Sequence, residues 1–218
     1  TGQMHGLTLL GEDGQVLRPA ILWNDQRTGA QCDEIRARLG RLRLIEITGN
    51  DALTGFTAPK ILWVQENEPE VYRRTFKMLH AKDYMNYRLT GVMASEYTDG
   101  SSTNLLDLTA LAWSEKLVAI TGLDGEKLPD LHPSTDVVGT LTTEAATALG
   151  LPAGIPVVAG GGDGLCAAVG VGSVKPGVTY NYLGSSSWIA TTSEKPIFDE
   201  QMRTFVWAHA VPGYVHPC

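Results

Sequence analysis

A chain of 218 residues, 43% of them hydrophobic, can bury a core as one large domain or as two modest ones. With 19% charged residues and a net charge of -7, it lacks the basic footprint of a nucleic-acid binder or of a protein held to an anionic membrane, and no apolar run is long enough to span a bilayer. Three scattered cysteines, Cys32, Cys166 and Cys218, make neither a disulfide framework nor a zinc site, so a reducing, cytoplasmic setting is expected; 24 glycines favour an architecture of close turns over a helical bundle.

Met4 to Leu10 reads as a strand, Gly11-Glu12-Asp13-Gly14 as a turn, and Val16 to Trp23 as the return arm of a hairpin. The polar cluster Trp23-Asn24-Asp25-Gln26-Arg27 can line a cleft, or it is a solvated loop in which Asp25 or Thr28 caps the next helix. Thr28 to Leu39 has a helical pattern closed by Gly40, and Thr48-Gly49-Asn50 is a polar break. Pro59 suits the first turn of a helix with Ile61, Leu62 and Val64 on its buried face; Asn67-Glu68-Pro69 ends that helix and starts another through Phe76. Lys82 to Leu89 is a further helix ending at Thr90-Gly91, in which Tyr84, Met85 and Tyr87 read as core. The hydroxyl-rich run Tyr97 to Thr103 reads as a loop and cap, Trp113 to Ile120 as a short helix, and Thr142 to Leu149 as a capped helix ended by Gly150. Leu151-Pro152-Ala153-Gly154 interrupts the pattern, which places a domain boundary there, between 1-153 and 154-218.

The stretch with the clearest chemistry follows that break. An apolar β-branched run, Ile155 to Ala159, meets Gly160-Gly161-Gly162 and then Asp163, and Leu165 to Val169 continues as a helix. A buried strand, a side-chain-free turn and an acid are how an α/β protein presents one carboxylate at the carboxyl end of its sheet. The same stretch also reads as a tight turn with Asp163 capping the helix. Downstream, Val178 to Leu183 and Trp188 to Thr192 alternate like two strands joined by Gly184-Ser185-Ser186-Ser187. Such a turn can aim backbone amides and hydroxyls at a phosphate, and phosphoryl transfer needs both a phosphate cradle and a proton acceptor.

Six blocks occur in one order: Gly2-Gln3-Met4-His5-Gly6, Leu22 to Arg27, Thr48-Gly49-Asn50, Gly55 to Lys60, Lys82-Asp83-Tyr84 with Leu89-Thr90-Gly91, and Gly162-Asp163. Together they resemble the carbohydrate kinases of the FGGY family, and within it the xylulokinase branch, over nearly the whole chain. The resemblance implies an α/β, actin-like (ribonuclease H-like) ATPase fold, here incomplete. Two domains would close over a sugar and Mg-ATP, with 1-153 in the sugar-binding domain and 154-218 opening the nucleotide-binding one. It implies that Asp163 is the general base that takes the proton from a sugar hydroxyl, that Met4 and His5 contact the sugar, and that Gly184-Ser185-Ser186 is the phosphate loop. No residue is singled out as a metal ligand, and the reading is compatible with a homodimer.

Two departures from the family's pattern stand out. The residue after the acid is commonly Asn or Gln there and touches the sugar, whereas here it is Gly164. The family's first strand with its phosphate-binding loop, and its adenine-holding segment, have no counterpart, so the chain is expected to be a piece that is inactive alone. Conversion of D-xylulose to its 5-phosphate is the expected reaction. A kinase for ribulose, gluconate or a tetritol, and a non-catalytic sugar-binding protein, are the alternatives.

Overall fold

The computed structural model describes residues 1–184 and 187–218. The strand expected from Met4 shortens to β1 (Thr8–Leu10), because the chain turns at residues 4–6: His5 takes a left-handed φ of 68° and the Gly6 amide closes on the Met4 carbonyl. A left-handed residue breaks the pleat, and histidine is one of the few non-glycine types that visit that region. β1 returns as an irregular hairpin through single bridges from Leu10 to Val16 and from Leu7 to Ile21.

Helices α1 (Gly29–Leu39) and α2 (Arg41–Thr48) are separated by Gly40, and Gly49 ends α2 at φ 77°. No side chain caps α1, so neither Asp25 nor Thr28 takes that part; Asp25 pairs instead with Arg27 at 2.7 Å. Pro59 sits in the first turn of α3 (Thr57–Asn67), as expected, and α4 (Pro69–Arg74) follows at once. The next strand, β2 (Lys77–Leu79), pairs antiparallel with β1 and sets Thr8 opposite Leu79. Helix α5 (Ala81–Thr90) ends at left-handed Gly91.

The hydroxyl run expected as a loop is a buried helix. β3 (Ala94–Glu96) leads into α6 (Tyr97–Ser101), whose first amides, Thr98 and Asp99, are accepted by the Glu96 carboxylate. β4 (Leu106–Asp107) and β5 (Ala112–Trp113) pair, Ser114 caps α7 (Glu115–Thr121), and β6 (Asp130–His132) lies parallel to β3. Then come β7 (Val137–Thr140), α8 (Thr143–Leu149) capped by Thr142, and β8 (Pro156–Val158), which pairs antiparallel with β7. α9 (Asp163–Gly170) precedes the hairpin of β9 (Thr179–Leu183) and β10 (Ser187–Thr191), and β11 (Val206–Ala208) pairs with β12 (Val215–Pro217).

Two expectations about the glycine stretch are corrected. The strand before the acid is not buried: β8 has only β7 beside it among the described residues, and Val158 is 49% exposed. Nor does Asp163 cap its helix, because the N-cap position is Gly162 and no side chain bonds there.

The main core is built from α1, α2, α3 and β1, with Ile35, Leu44, Ile61, Leu7 and Leu9 at its centre; a second cluster joins Leu106 and Leu108 to Val206 and Ala208. Asn50 stitches the two together, donating to the Val206 carbonyl at 2.7 Å and accepting from the Val206 amide at 3.1 Å. That link brings β11, and Trp207 with it, back to the first part of the chain. No helix among the described residues is long and apolar enough to cross a membrane.

Candidate active site

The bend from Ala159 to Asp163 is gripped by the chain's own atoms. Gly2 bridges to Gly162 in parallel, and the Asp163 amide donates to the Gly2 carbonyl at 2.9 Å. Gly160 needs its φ of 75°, and the missing side chain at Gly162 makes room for internal packing. A Cβ on Gly162 would fall 2.6 Å from the Met4 sulfur, whereas one on Gly161 would make looser contacts, 3.3 Å from the Cys166 sulfur and 3.4 Å from the Thr98 hydroxyl. The Lys82 ammonium and the Asn86 amide both donate to the Ala159 carbonyl, at 3.2 and 2.9 Å. Asp163 itself is exposed at the first position of α9.

Beside Met4, His5 is half-buried against Phe56 and Trp207, with ring centroids 5.1 and 5.7 Å away. Burial, joined by the charges of Lys60 and His80, pushes the His5 pKa down to about 3 against the pull of the Ser102 carbonyl. The ring is therefore neutral. Its Nδ1 lies 3.3 Å from that carbonyl, which can only accept, so Nδ1 carries the proton and Nε2 offers a lone pair. The backbone beneath is fixed by Lys60, which is fully buried and donates to the His5 and Gly55 carbonyls at 2.7 and 2.6 Å. Burial lowers the Lys60 pKa to about 7, with Asp25 opposing.

Behind the bend lies a buried charge cluster. The Lys82 ammonium is 2.6 Å from Asp83, 3.5 Å from Asp99 and 3.7 Å from Glu96. Although burial opposes it, Lys82 and His80 hold the Asp83 carboxyl well below the usual carboxylate range. Asp99 goes the other way: burial first, then Asp83 and Glu96, raises it to about 7 against His80 and Lys82. His80 Nε2 meets the Thr57 hydroxyl at 3.1 Å, which ties this cluster to the start of α3.

His80, Asp83 and Asp99 offer ligand atoms within 4.8 Å of one another, the only such trio among the described residues. They do not fit Mg2+: the ammonium already occupies the centre of the cluster, and magnesium keeps several waters, for which this sealed site has no room.

Residues 1–170 match the model of the FGGY family of carbohydrate kinases, N-terminal domain. The chain belongs to the FGGY family. It is 44% identical over 213 residues to the xylulose kinase of Lactococcus lactis subsp. lactis and 42% identical over 215 residues to that of Escherichia coli, covering 98% and 99% of this chain. The solved xylulose kinase of Rhodospirillum rubrum superposes with a TM-score of 0.94 at 30% identity over 99% of this chain. The chain spans 42% and 44% of the length of the two sequence relatives and 44% of the solved one, so it holds part of the actin-like (ribonuclease H-like) ATPase fold of the FGGY kinases.

Within this FGGY chain the structure packs Met4 onto Gly162, next to Asp163, and sets His5 one residue beyond. Gly184 follows β9, where a Cβ would meet the Tyr182 ring at 2.8 Å, and Ser185 and Ser186 lie outside the described residues. Four residues at or behind the site escape sequence reasoning. Lys60 and Lys82 sit inside quoted blocks with no mark of burial, Thr98 lies in the supposed loop, and Trp207 is 202 residues from His5 in sequence yet touches it. The one local signal was Glu96 placed to accept the Thr98 and Asp99 amides, an N-cap outside the usual Ser, Thr, Asp and Asn set.

Proposed function

We propose that a protein of the relatives' full length carrying this chain transfers the γ-phosphoryl group of ATP to a sugar hydroxyl, with D-xylulose going to D-xylulose 5-phosphate. Asp163 accepts the hydroxyl proton as the oxygen attacks phosphorus, Met4 walls the sugar site, and neutral His5 takes a hydrogen bond from a second hydroxyl at Nε2. Phosphoryl transfer asks a protein mainly for alignment and charge neutralisation, and a fixed carboxylate beside the alcohol provides the first. The observation that carries this reading is the exposed carboxylate of Asp163 on a fixed backbone, its amide donating to the Gly2 carbonyl and the preceding Gly162 packed on Met4, next to His5. We read 1–153 as the sugar-binding lobe and 154–218 as leading into the nucleotide lobe, with Gly184-Ser185-Ser186 facing phosphate. A cytoplasmic location suits a kinase that draws on ATP. Magnesium, where it acts, is held by groups other than the Lys82 cluster.

ADP release by the full-length protein with D-xylulose tests this. Replacing Asp163 by Asn keeps shape and removes basicity, so kcat should fall by at least about 100-fold while KM for the sugar moves little. Unchanged turnover would remove the base from the mechanism. A second reading draws on Gly164: a Cβ there would meet nothing within 4 Å, which leaves open space beside Asp163 where many family members carry Asn or Gln. A sugar other than D-xylulose, such as ribulose, gluconate or a tetritol, would then be the better substrate, and a sugar panel in the same assay ranks them. Binding of every sugar without ADP release would favour the non-catalytic alternative.

A further inference from the structure

We infer that Thr98 is a positioning residue for Asp163, acting through the Gly162 amide; this rests on Asp163 as the general base. The Gly162 amide donates to the Thr98 hydroxyl at 2.8 Å, and that hydroxyl donates to Glu96 Oε1 at 2.6 Å. A carboxylate only accepts, so the hydroxyl proton is committed to Glu96 and a lone pair faces Gly162. Glu96 is itself pinned, since it also accepts the Thr98 and Asp99 amides at 2.6 and 2.8 Å and the Ser134 hydroxyl at 2.9 Å. The Ser134 carbonyl takes the Gly160 amide at 2.9 Å, so the same buried group of residues holds two amides of the bend.

Three successive glycines have more backbone freedom than any other tripeptide. The Asp163 carboxylate sits on their far end, and a displacement of about 1 Å in a reacting group can cost about 100-fold in rate. Thr98 removes that freedom at the Gly161–Gly162 peptide, one peptide before the acid's own, which the Gly2 carbonyl holds. It touches neither sugar nor phosphate in this scheme, and its effect passes through one hydrogen bond.

The full-length enzyme tests this with Thr98→Val, which keeps shape and removes the hydroxyl, and Thr98→Ser, which restores it. Thr98→Val should lower kcat at least about tenfold with KM for sugar and ATP within about threefold, and Thr98→Ser should recover kcat. In the Asp163→Asn background, Thr98→Val should lower kcat no further. Hydrogen exchange read by mass spectrometry should be faster in Thr98→Val across 160–164. A kcat within twofold of the parent, no recovery by Thr98→Ser, or an additive loss in the Asp163→Asn background would overturn the inference. If Thr98→Val does not fold, Thr98→Cys, a weaker acceptor of similar size, takes its place, and an unchanged kcat overturns the inference equally. Retained turnover in Asp163→Asn alone would sink the base reading, and unchanged exchange at 160–164 would separately sink the clamp.

Discussion

The segment from His80 to Thr103 and the segment from Val171 to Phe198 invert the usual sorting of side chains in opposite senses. In the first, charged and hydroxyl groups are inside: Lys82, Asp83, Glu96, Thr98 and Asp99 are all buried. In the second, large apolar groups are outside, with Leu183 at 78% exposure, Ile189 at 67% and Val171 at 60%. The buried polar groups are tolerable because one ammonium answers several carboxylates and nearly every hydroxyl has a partner. The exposed apolar groups have no such answer among the described residues, and the chain spans less than half the length of its relatives, so side chains of this kind are free to meet further chain.

The contrast is broken most directly at its cation. Lys82→Met leaves Asp83, Glu96 and Asp99 facing one another in a sealed space, and should destabilise the fold by about 3–5 kcal/mol in urea titrations at pH 7. Wild-type stability in this variant would mean that the cluster is wetter than its burial indicates. A smaller effect follows from Asp99, whose two oxygens have no hydrogen-bond partner among the described residues. Its pKa of about 7 in the fold lies above the ordinary 3.8, so the folded state retains a proton that the unfolded state releases between those values. The stability tied to that proton is complete below about 4 and lost as pH rises through 7. Asp99→Asn should therefore gain stability relative to the parent between pH 4 and pH 8, and a difference that does not change with pH would contradict the assignment. The smallest effect lies on the other segment: Ile189→Lys should alter stability by no more than about 0.5 kcal/mol. It should nonetheless reduce self-association of the 218-residue chain in sedimentation runs, and a chain that is monodisperse at high concentration without the change would show that the patch is inert.

Much of the α-helical framework was legible because its signals are local. Pro59 in a first turn, Thr142 as a cap, and Gly91 and Gly150 as left-handed stops all behave as the sequence rules require. The failures share a cause, which is that burial is decided by partners far away in sequence. Thr98 and Ser101 look like loop residues until Gly162 and Ala208 are found to bond their hydroxyls, from positions 64 and 107 residues away. The strand at Lys77–Leu79 exists because β1 offers it an edge, and three residues between helices carry no period of their own. The side-chain-free turn before Asp163 reads from the sequence as a way to present the acid, yet at Gly162 the room of the missing side chain is taken by Met4, far away in sequence. Of the proposed site residues, Met4, His5 and Asp163 are named from the sequence, whereas Lys60, Lys82 and Thr98, which bond the backbone around them, are not.

Because the Met4 thioether fills the hollow left at Gly162, the histidine and the acid are geared to each other across a single flexible side chain. Bulk added on either side of that joint would press on the other.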